Sequence, residues 1–115
     1  MLIRMFVKSH SSDESKKICE RILIKLEKYI DEKSYLNNQS YWKMDNVFLL
    51  EICINLKEKI SLGILEKFAL SISDKWQVYG NPVNEILISN TMSGCNMKKS
   101  EVIMMNMFFE SSEIF

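Results

Sequence analysis

Two contrasting patterns of apolar residues open the chain. Residues 2–7 are mostly apolar with no helical period, which is typical of a β-strand. Ser11 and Glu14 then have the spacing of a capping box, in which each side chain accepts an amide proton at the start of a helix. Apolar side chains recur at helical spacing between Ile18 and Ile30, against a charged opposite face. The pattern predicts a first helix over residues 12–33.

The middle of the chain predicts a hairpin. Residues 37–39 are polar and are interpreted as a break, whereas residues 41–44 are aromatic and favour a second strand. Asp45 and Asn46 favour a turn, because both tolerate left-handed backbone conformations. In Val47–Leu56 every even-numbered position is apolar, which is the clearest strand pattern of the chain. Two strands joined by this turn would form the hairpin.

A second helix and further strands are predicted after the hairpin. Ser61 can cap a helix that runs to about residue 73. Alternating apolar and polar residues predict strands over 75–79 and 83–90. Glycine, asparagine and proline at 80–82 favour a turn between them.

The order of these elements predicts the fold class. Residues 102–109 fit either a last strand or a short helix, of which we favour the strand, and residues 110–115 are expected to fray. Strand, helix, hairpin, helix and further strands predict a single α+β domain over residues 1–115, with an antiparallel or mixed sheet and two helices packed on one face. This is a ferredoxin-like or related two-layer sandwich. A chain of 115 residues can bury such a core without a disulfide or a metal.

The balance of charges argues against nucleic acid and membranes as partners. Fifteen basic and 15 acidic side chains give zero net charge, and only Arg4 and Arg21 are arginines. Such a chain lacks the basic field and the guanidinium groups on which nucleic-acid binding depends. No segment approaches the roughly 18 consecutive apolar residues of a membrane span. Beyond residue 99 the chain carries three glutamates and no basic residue, which leaves room for a local acidic face toward a basic protein.

The cysteines and the N-terminus indicate a reducing compartment. Cys19, Cys53 and Cys95 are widely spaced and include no CxxC pair. We interpret them as free thiols, two of them within apolar runs, with Cys95 the most exposed. The N-terminal apolar run is too short for the core of a signal peptide. Together these features predict a cytoplasmic protein.

Side chains that could perform catalysis are sparse. His10 is the only histidine, and Asp13 or Glu14 could orient it as a base, although a histidine beside a helix N-terminus is more often solvated. The carboxylate pairs at 13–14 and 31–32 are interpreted as capping and solvated positions on the first helix. The three glycines lie too far apart to form a phosphate-binding loop. We therefore expect no catalytic or metal-binding residue and no cofactor.

Aromatic and methionine residues offer contact surface instead. Tyr41, Trp42, Trp76 and Tyr79 flank polar turns, where large side chains with a polar group can anchor an interface. The two tryptophans could equally be core residues at the ends of the sheet. The methionines and phenylalanines of residues 104–109 either fill the core or form an adaptable contact surface.

In layout and composition the whole chain resembles a known class of binding protein. Its LIRMFV opening, VFLLEICINL strand and NEILISN segment resemble the small immunity proteins of bacterial polymorphic toxin systems, including those of contact-dependent growth inhibition. The resemblance implies an antitoxin that binds a cognate toxin domain, frequently a nuclease, inside the cell. Its mechanism would be occlusion of the toxin's active or substrate-binding site.

Acidic residues near the aromatic turns are candidates to meet a basic cleft of such a toxin. The partner-binding residues predicted in this way are Tyr41, Trp42, Asp45, Glu51, Asp74, Trp76, Tyr79 and Glu85.

Two other functions stay open. A pocket between the sheet and the helices could bind a small ligand or perform catalysis, and it would contain His10 or Cys95. Alternatively, the chain could be a homo-oligomeric regulatory subunit, for example a homodimer that pairs through an exposed strand edge.

Overall fold

Six strands and two α-helices form the described part of the chain, residues 1–114 of a computed structural model. A 3₁₀ helix extends the first α-helix, and a second 3₁₀ helix follows the last strand. In chain order the elements are β1 (Leu2–Lys8), α1 (Ser12–Leu23), the 3₁₀ helix Ile24–Tyr29, β2 (Ile30–Ser40), β3 (Val47–Leu56), α2 (Leu62–Leu70), β4 (Gln77–Tyr79), β5 (Glu85–Ser89), β6 (Val102–Phe108) and the 3₁₀ helix Ser111–Glu113.

The strands form one sheet in the order β2-β3-β1-β6-β5-β4, and every neighbouring pair is antiparallel. Helix α1 connects β1 to β2 across the intervening β3, which is a split β-α-β arrangement. The β4–β5 hairpin extends the sheet beyond β6. With both helices packed into the core on one face, the predicted two-layer α+β class is confirmed, and the sheet is antiparallel throughout.

The core lies between the sheet and the two helices. In β1 the odd-numbered side chains are buried and the even-numbered ones are half-buried or, at Lys8, exposed, because successive side chains of a strand point to opposite faces. Helix α2 contributes Leu65, Phe68 and Ala69, and the end of α1 contributes Ile22 and Leu23. One hydrophobic cluster contains all of these side chains.

Both predicted helix starts are confirmed by their caps. The Ser11 hydroxyl accepts a hydrogen bond from the Glu14 amide at 3.1 Å, and the Ser61 hydroxyl accepts one from the Ile64 amide at 3.2 Å. Each bond satisfies an amide that has no partner within its helix.

The first helix ends ten residues before the predicted end. Regular α-helix stops at Leu23, the 3₁₀ helix continues to Tyr29, and residues 30–33, which we expected to be helical, begin β2. The apolar stripe does continue through this stretch, with Leu26 and Ile30 buried. Pairing with β3 nevertheless decides the conformation, because it provides hydrogen bonds along the whole of β2.

The first half of the hairpin also differs from the prediction. Residues 37–39 are not a break but part of β2, and residues 41–44 are not a strand but part of the turn into β3. The predicted turn at Asp45 and Asn46 is confirmed, and Asn46 has the left-handed φ of 57° that this residue type tolerates. The hairpin therefore exists, with a first strand that begins and ends earlier than the sequence suggests.

The second half of the chain follows its predicted order. Strands β4 and β5 are shorter than predicted and flank the expected turn, and β6 is a strand rather than a helix. Fraying of residues 110–115 stays a prediction, and residues 110–114 make defined contacts in the structure. Glu113 accepts a hydrogen bond from the Ile60 amide through its backbone, and its carboxylate lies 2.6 Å from the N-terminal ammonium. Phe115 lies outside the described residues.

In residues 1–114, neither helix has the length and the apolar character that crossing a lipid bilayer would require.

Candidate partner-binding surface

Within residues 1–114, the face of the sheet opposite α1 and α2 carries no α-helix, and we call it the open face. Strand register defines its residues, because side chains directly opposite one another on paired strands share a face. The even-numbered residues of β1, exemplified by Arg4, lie on it, and so do their partners in β3 and β6. These side chains are mostly half-buried, since neighbours in the sheet cover their flanks but no helix of the described part of the chain covers their ends.

A polar row crosses the middle of the open face. Arg4 pairs in register with Glu51 on one side and with Asn106 on the other. The Arg4 Nη2 atom lies 3.3 Å from Glu51 Oε2, and Asn37 Nδ2 donates to Glu51 Oε1 at 2.6 Å. Glu85 lies in the neighbouring row, opposite Phe108, and accepts a hydrogen bond from Asn106 Nδ2 at 2.8 Å. Together with Glu85, the polar row has two carboxylates and one guanidinium, which give this region a net negative charge.

An apolar row flanks the polar row on each side. In both rows the members come from β3, β1 and β6 in register, so they form continuous strips across the sheet. A polar strip between apolar strips is the mixture of surface that protein–protein interfaces use. One row is Leu49, Phe6 and Met104, and the other is Cys53, Leu2 and Phe108.

An aromatic turn adjoins one corner of the open face. The Tyr41 ring packs edge-on against Phe6, with ring centroids 4.9 Å apart. Next to it, the Trp42 side chain is 84% exposed and carries the Lys43 ammonium 4.9 Å from its ring centroid. Met44 is also exposed. The turn therefore places a large aromatic group in solvent beside the apolar row that contains Phe6.

Six of the eight predicted partner-binding residues lie on this surface. Glu51, Tyr79 and Glu85 lie on the open face, whereas Tyr41, Trp42 and Asp45 lie in the adjoining turn. Among the polar members of the face, Arg4, Asn37 and Asn106 were not predicted. Nothing in the local sequence marks them, since only the pairing of distant strands brings them together. No direct measurement of binding bears on these assignments, which stay predictions.

The other two predicted residues lie elsewhere. Asp74 follows α2 and accepts hydrogen bonds from the backbone amide and the side chain of Asn96, at 2.7 and 3.1 Å. These bonds, the backbone one foremost, hold the pKa of the Asp74 carboxyl below its usual value. Trp76 packs against the core cluster, which fits the alternative of a core tryptophan. Asp74 and Trp76 are therefore not part of the open face.

Ion pairs and hydrogen bonds between α1 and β2 fix the edge strand of the sheet against the first helix. The Lys33 ammonium lies 2.6 Å from Glu20 and 3.1 Å from Glu27, and the Tyr35 hydroxyl donates to Glu20. Burial works to raise the pKa of Glu20, but hydrogen bonds from Lys33 and Tyr35 outweigh it and lower that pKa. Burial likewise opposes the charge of Lys33, whereas its carboxylate partners raise the Lys33 pKa above the usual value. Burial raises the pKa of the neighbouring Cys19 thiol to about 12, which leaves it protonated at neutral pH.

Most of the acidic residues beyond residue 99 are already paired. Glu101 lies 3.8 Å from Arg21, and Glu113 binds the N-terminal ammonium. Glu110 is exposed and accepts a bond within its own 3₁₀ helix. The negative charge that the sequence suggested at this end of the chain is therefore largely neutralised. The carboxylate that can attract a partner is that of Glu85, on the open face.

The residues proposed for an enzymatic pocket have structural partners. His10 is exposed beside a cavity of about 500 Å³, and its Nδ1 atom lies 3.1 Å from Asn46 Oδ1. Cys95 is half-buried, and its sulfur lies 2.8 Å from the Ser73 hydroxyl. Throughout residues 1–114, no three histidine, cysteine or carboxylate side chains are grouped so that they could hold a metal ion.

Comparisons with protein-family models, with curated proteins and with solved structures give no match to this chain. Function is therefore inferred from the geometry of the open face and of the adjoining turn.

Proposed function

We propose that this protein is an immunity protein, which binds a cognate toxin domain in the cytoplasm and neutralises it by covering the toxin's active or substrate-binding site. The observation that carries the proposal is the open face itself, in which a polar row lies between two apolar rows and an exposed tryptophan stands at one corner. The layout and composition of the chain, which resemble those of immunity proteins, supply the biological setting.

The dimensions of the open face suit a protein partner. Five spacings of about 4.8 Å between six strands make the sheet about 24 Å wide, and strands of seven residues are about 23 Å long. The projecting side chains and the Trp42 turn add accessible area to this surface. The total area then approaches the roughly 800 Å² that each partner contributes to a standard interface. Tryptophan and tyrosine are the residues most enriched among side chains that dominate binding energy.

Occlusion requires complementary shape and charge rather than catalytic groups. A nuclease toxin presents a basic cleft to its nucleic-acid substrate, and carboxylates on an inhibitor speed association with such a cleft. Glu51 and Glu85 supply these carboxylates on the open face. Because Arg4 already pairs with Glu51, Glu85 would carry more of the attraction.

A growth assay tests the proposal. The neighbouring genes are sequenced first, and if one of them encodes a large protein, its C-terminal domain is expressed from an inducible promoter, with and without this protein. We expect the domain alone to stop growth, and co-expression to restore it through a complex that is isolated by gel filtration. Trp42→Ala should weaken that complex, whereas Glu66→Gln, on α2 in the opposite layer, should not. A harmless neighbouring domain, or toxicity that co-expression leaves unchanged, would contradict the proposal.

Light scattering separates this function from a homo-oligomeric one. Strands β2 and β4 are the two edges of the sheet, and Val78 and Tyr79 of β4 are exposed there. A homodimer formed through these edges would have twice the monomer mass at all working concentrations. The immunity function predicts instead a monomer that becomes a heterodimer with the toxin domain.

A further inference from the structure

One polar side chain on the open face has an unused acceptor. Asn106 is only 6% exposed, and its Nδ2 group donates to Glu85 at 2.8 Å. This bond fixes which way the amide points, so Oδ1 faces away from Glu85. Within residues 1–114, Oδ1 has no hydrogen-bond partner. Because Oδ1 is enclosed, the polar atoms that a partner can reach here are those of Glu85, which the Asn106 amide holds in place.

Glu85 has no cationic partner among residues 1–114. No lysine or arginine there lies within ion-pair distance of its carboxylate, whereas Glu51, in the polar row, pairs with Arg4. The Asn106 amide holds one carboxylate oxygen in place. The result is an oriented negative charge whose attraction for a cation is not used within the protein.

Aromatic side chains stand on both sides of Glu85. Strand register puts Tyr79 of β4 opposite it on one side and Phe108 of β6 opposite it on the other. Tyr79 is 44% exposed, and its hydroxyl is held by Gln77 at 2.6 Å. Aromatic rings attract cations through their faces and pack against the apolar stem of a long basic side chain.

We infer that the Glu85 carboxylate, held in place by Asn106, forms a subsite for a lysine or, better, an arginine side chain of the protein partner. A guanidinium carries five donors in a planar fork, so two of them can bind the two oxygens of one carboxylate. Tyr79 flanks the bound side chain, whereas the Phe108 ring already lies 5.8 Å from the Arg4 guanidinium. The inference deepens the proposed function by naming the chemistry of the partner, a protein with a basic side chain exposed at its binding site.

An NMR titration of the whole protein tests the subsite without any toxin. The probe is the blocked tripeptide acetyl-Leu-Arg-Leu-amide, and the matched control is the same peptide with citrulline, which has the shape of arginine but no charge. We expect saturable shifts of the Asn106 side-chain amide and of the β5 backbone amides, with the citrulline peptide binding about tenfold more weakly. Equal responses to the two peptides, or shifts confined to other surfaces, would overturn the inference.

Two variants complete the test. Glu85→Gln keeps an acceptor for the Asn106 amide and removes the charge, so the preference for arginine over citrulline should be lost while the spectrum stays that of a folded protein. Glu66→Gln, on the opposite layer, should retain the preference. If Glu66→Gln abolishes it as well, the attraction is a general effect of charge and the subsite is refuted.

The growth assay distinguishes this inference from the proposed function. If Glu85→Lys protects cells as well as the wild type does, the subsite is wrong and the immunity function stands. If the arginine peptide binds at Asn106 but the wild type gives no protection, the subsite stands and the immunity function is wrong.

Discussion

The contact between Glu20 of α1 and Lys33 of β2 provides a sharp test of the fold. The two residues are 13 positions apart, and their charged groups meet at 2.6 Å. On the continuous helix that the sequence predicts, 13 residues would separate them by about 20 Å along the axis, so they would not interact. A double-mutant cycle of Glu20→Gln, Lys33→Met and the double variant therefore reports whether the chain leaves the helix before Lys33.

The size of the interaction follows from its exposure. A hydrogen bond to a charged group contributes about 1.5–3 kcal/mol when it is shielded from solvent. The Lys33 side chain is 15% exposed, but that of Glu20 is 40% exposed, so solvent screening reduces the contribution. We expect a coupling free energy of about 1 kcal/mol. Glu27 is a matched control, because it contacts the same ammonium at 3.1 Å but is 53% exposed. Its coupling should be about 0.3 kcal/mol.

The coupling should depend on pH in a defined direction. In the folded chain burial acts to raise the pKa of Glu20, but hydrogen bonds from Lys33 and Tyr35 bring it below the ordinary 4.5. Its contribution is therefore present above pH 4.5 and is lost as the pH falls through the lowered pKa. The pKa of Lys33 is raised above 10.5, so its contribution is complete below pH 10.5 and is lost as the pH rises further. Between about pH 6 and 9 the coupling should be constant.

Urea unfolding followed by circular dichroism measures all the variants, since urea, unlike guanidinium chloride, does not screen charges. Equal slopes among the variants would show that only stability has changed. A coupling between Glu20 and Lys33 no larger than that of the Glu27 control would refute both the contact and the early end of the helix.

Three further predictions concern individual side chains. Leu65→Ala removes a fully buried side chain and should cost about 3 kcal/mol of unfolding free energy, whereas Trp42→Ala, at 84% exposure, should cost less than about 0.5; urea melts of both variants compare them. Asn46→Gly should match or exceed the wild type in stability, and Asn46→Ala should lose about 1 kcal/mol, because a φ of 57° strains an alanine. Equal free energies of unfolding for the two variants would contradict this strain. The Cys19 thiol, buried and with its pKa raised to about 12, should react with iodoacetamide at pH 8 only on unfolding, which mass spectrometry of the labelled peptides would show.

Features encoded over a few residues could be predicted from the sequence. Ser11 and Ser61 cap helices where their spacing indicated, because a cap bonds to an amide only three residues away. The alternation of Val47–Leu56 defined a strand with its correct ends and its buried face. Asn46 marked the turn through its own conformational tolerance.

Residues 24–40 show where such reasoning fails. Their apolar spacing fits one side of a helix, and their polar residues resemble a loop, yet most of them form β2. The hydrogen bonds that decide this are made to β3, up to 26 positions further along the chain. A contact of that range leaves no local pattern, so the competing helix could not be rejected.

Taken by itself, the sequence determined the α+β class, the two helix starts and the hairpin turn, since each depends on periodicity or on bonds between near neighbours. Only the tertiary structure decided the order of the strands and, with it, the candidate site. Arg4, Glu51 and Asn106 are widely separated in the chain and become one polar row through antiparallel register. Asp74 and Trp76 lie outside the strands and therefore outside these rows, and Glu85 has no lysine or arginine within ion-pair distance in residues 1–114. Strand order sets which side chains share the open face, and it depends on the packing of the whole chain.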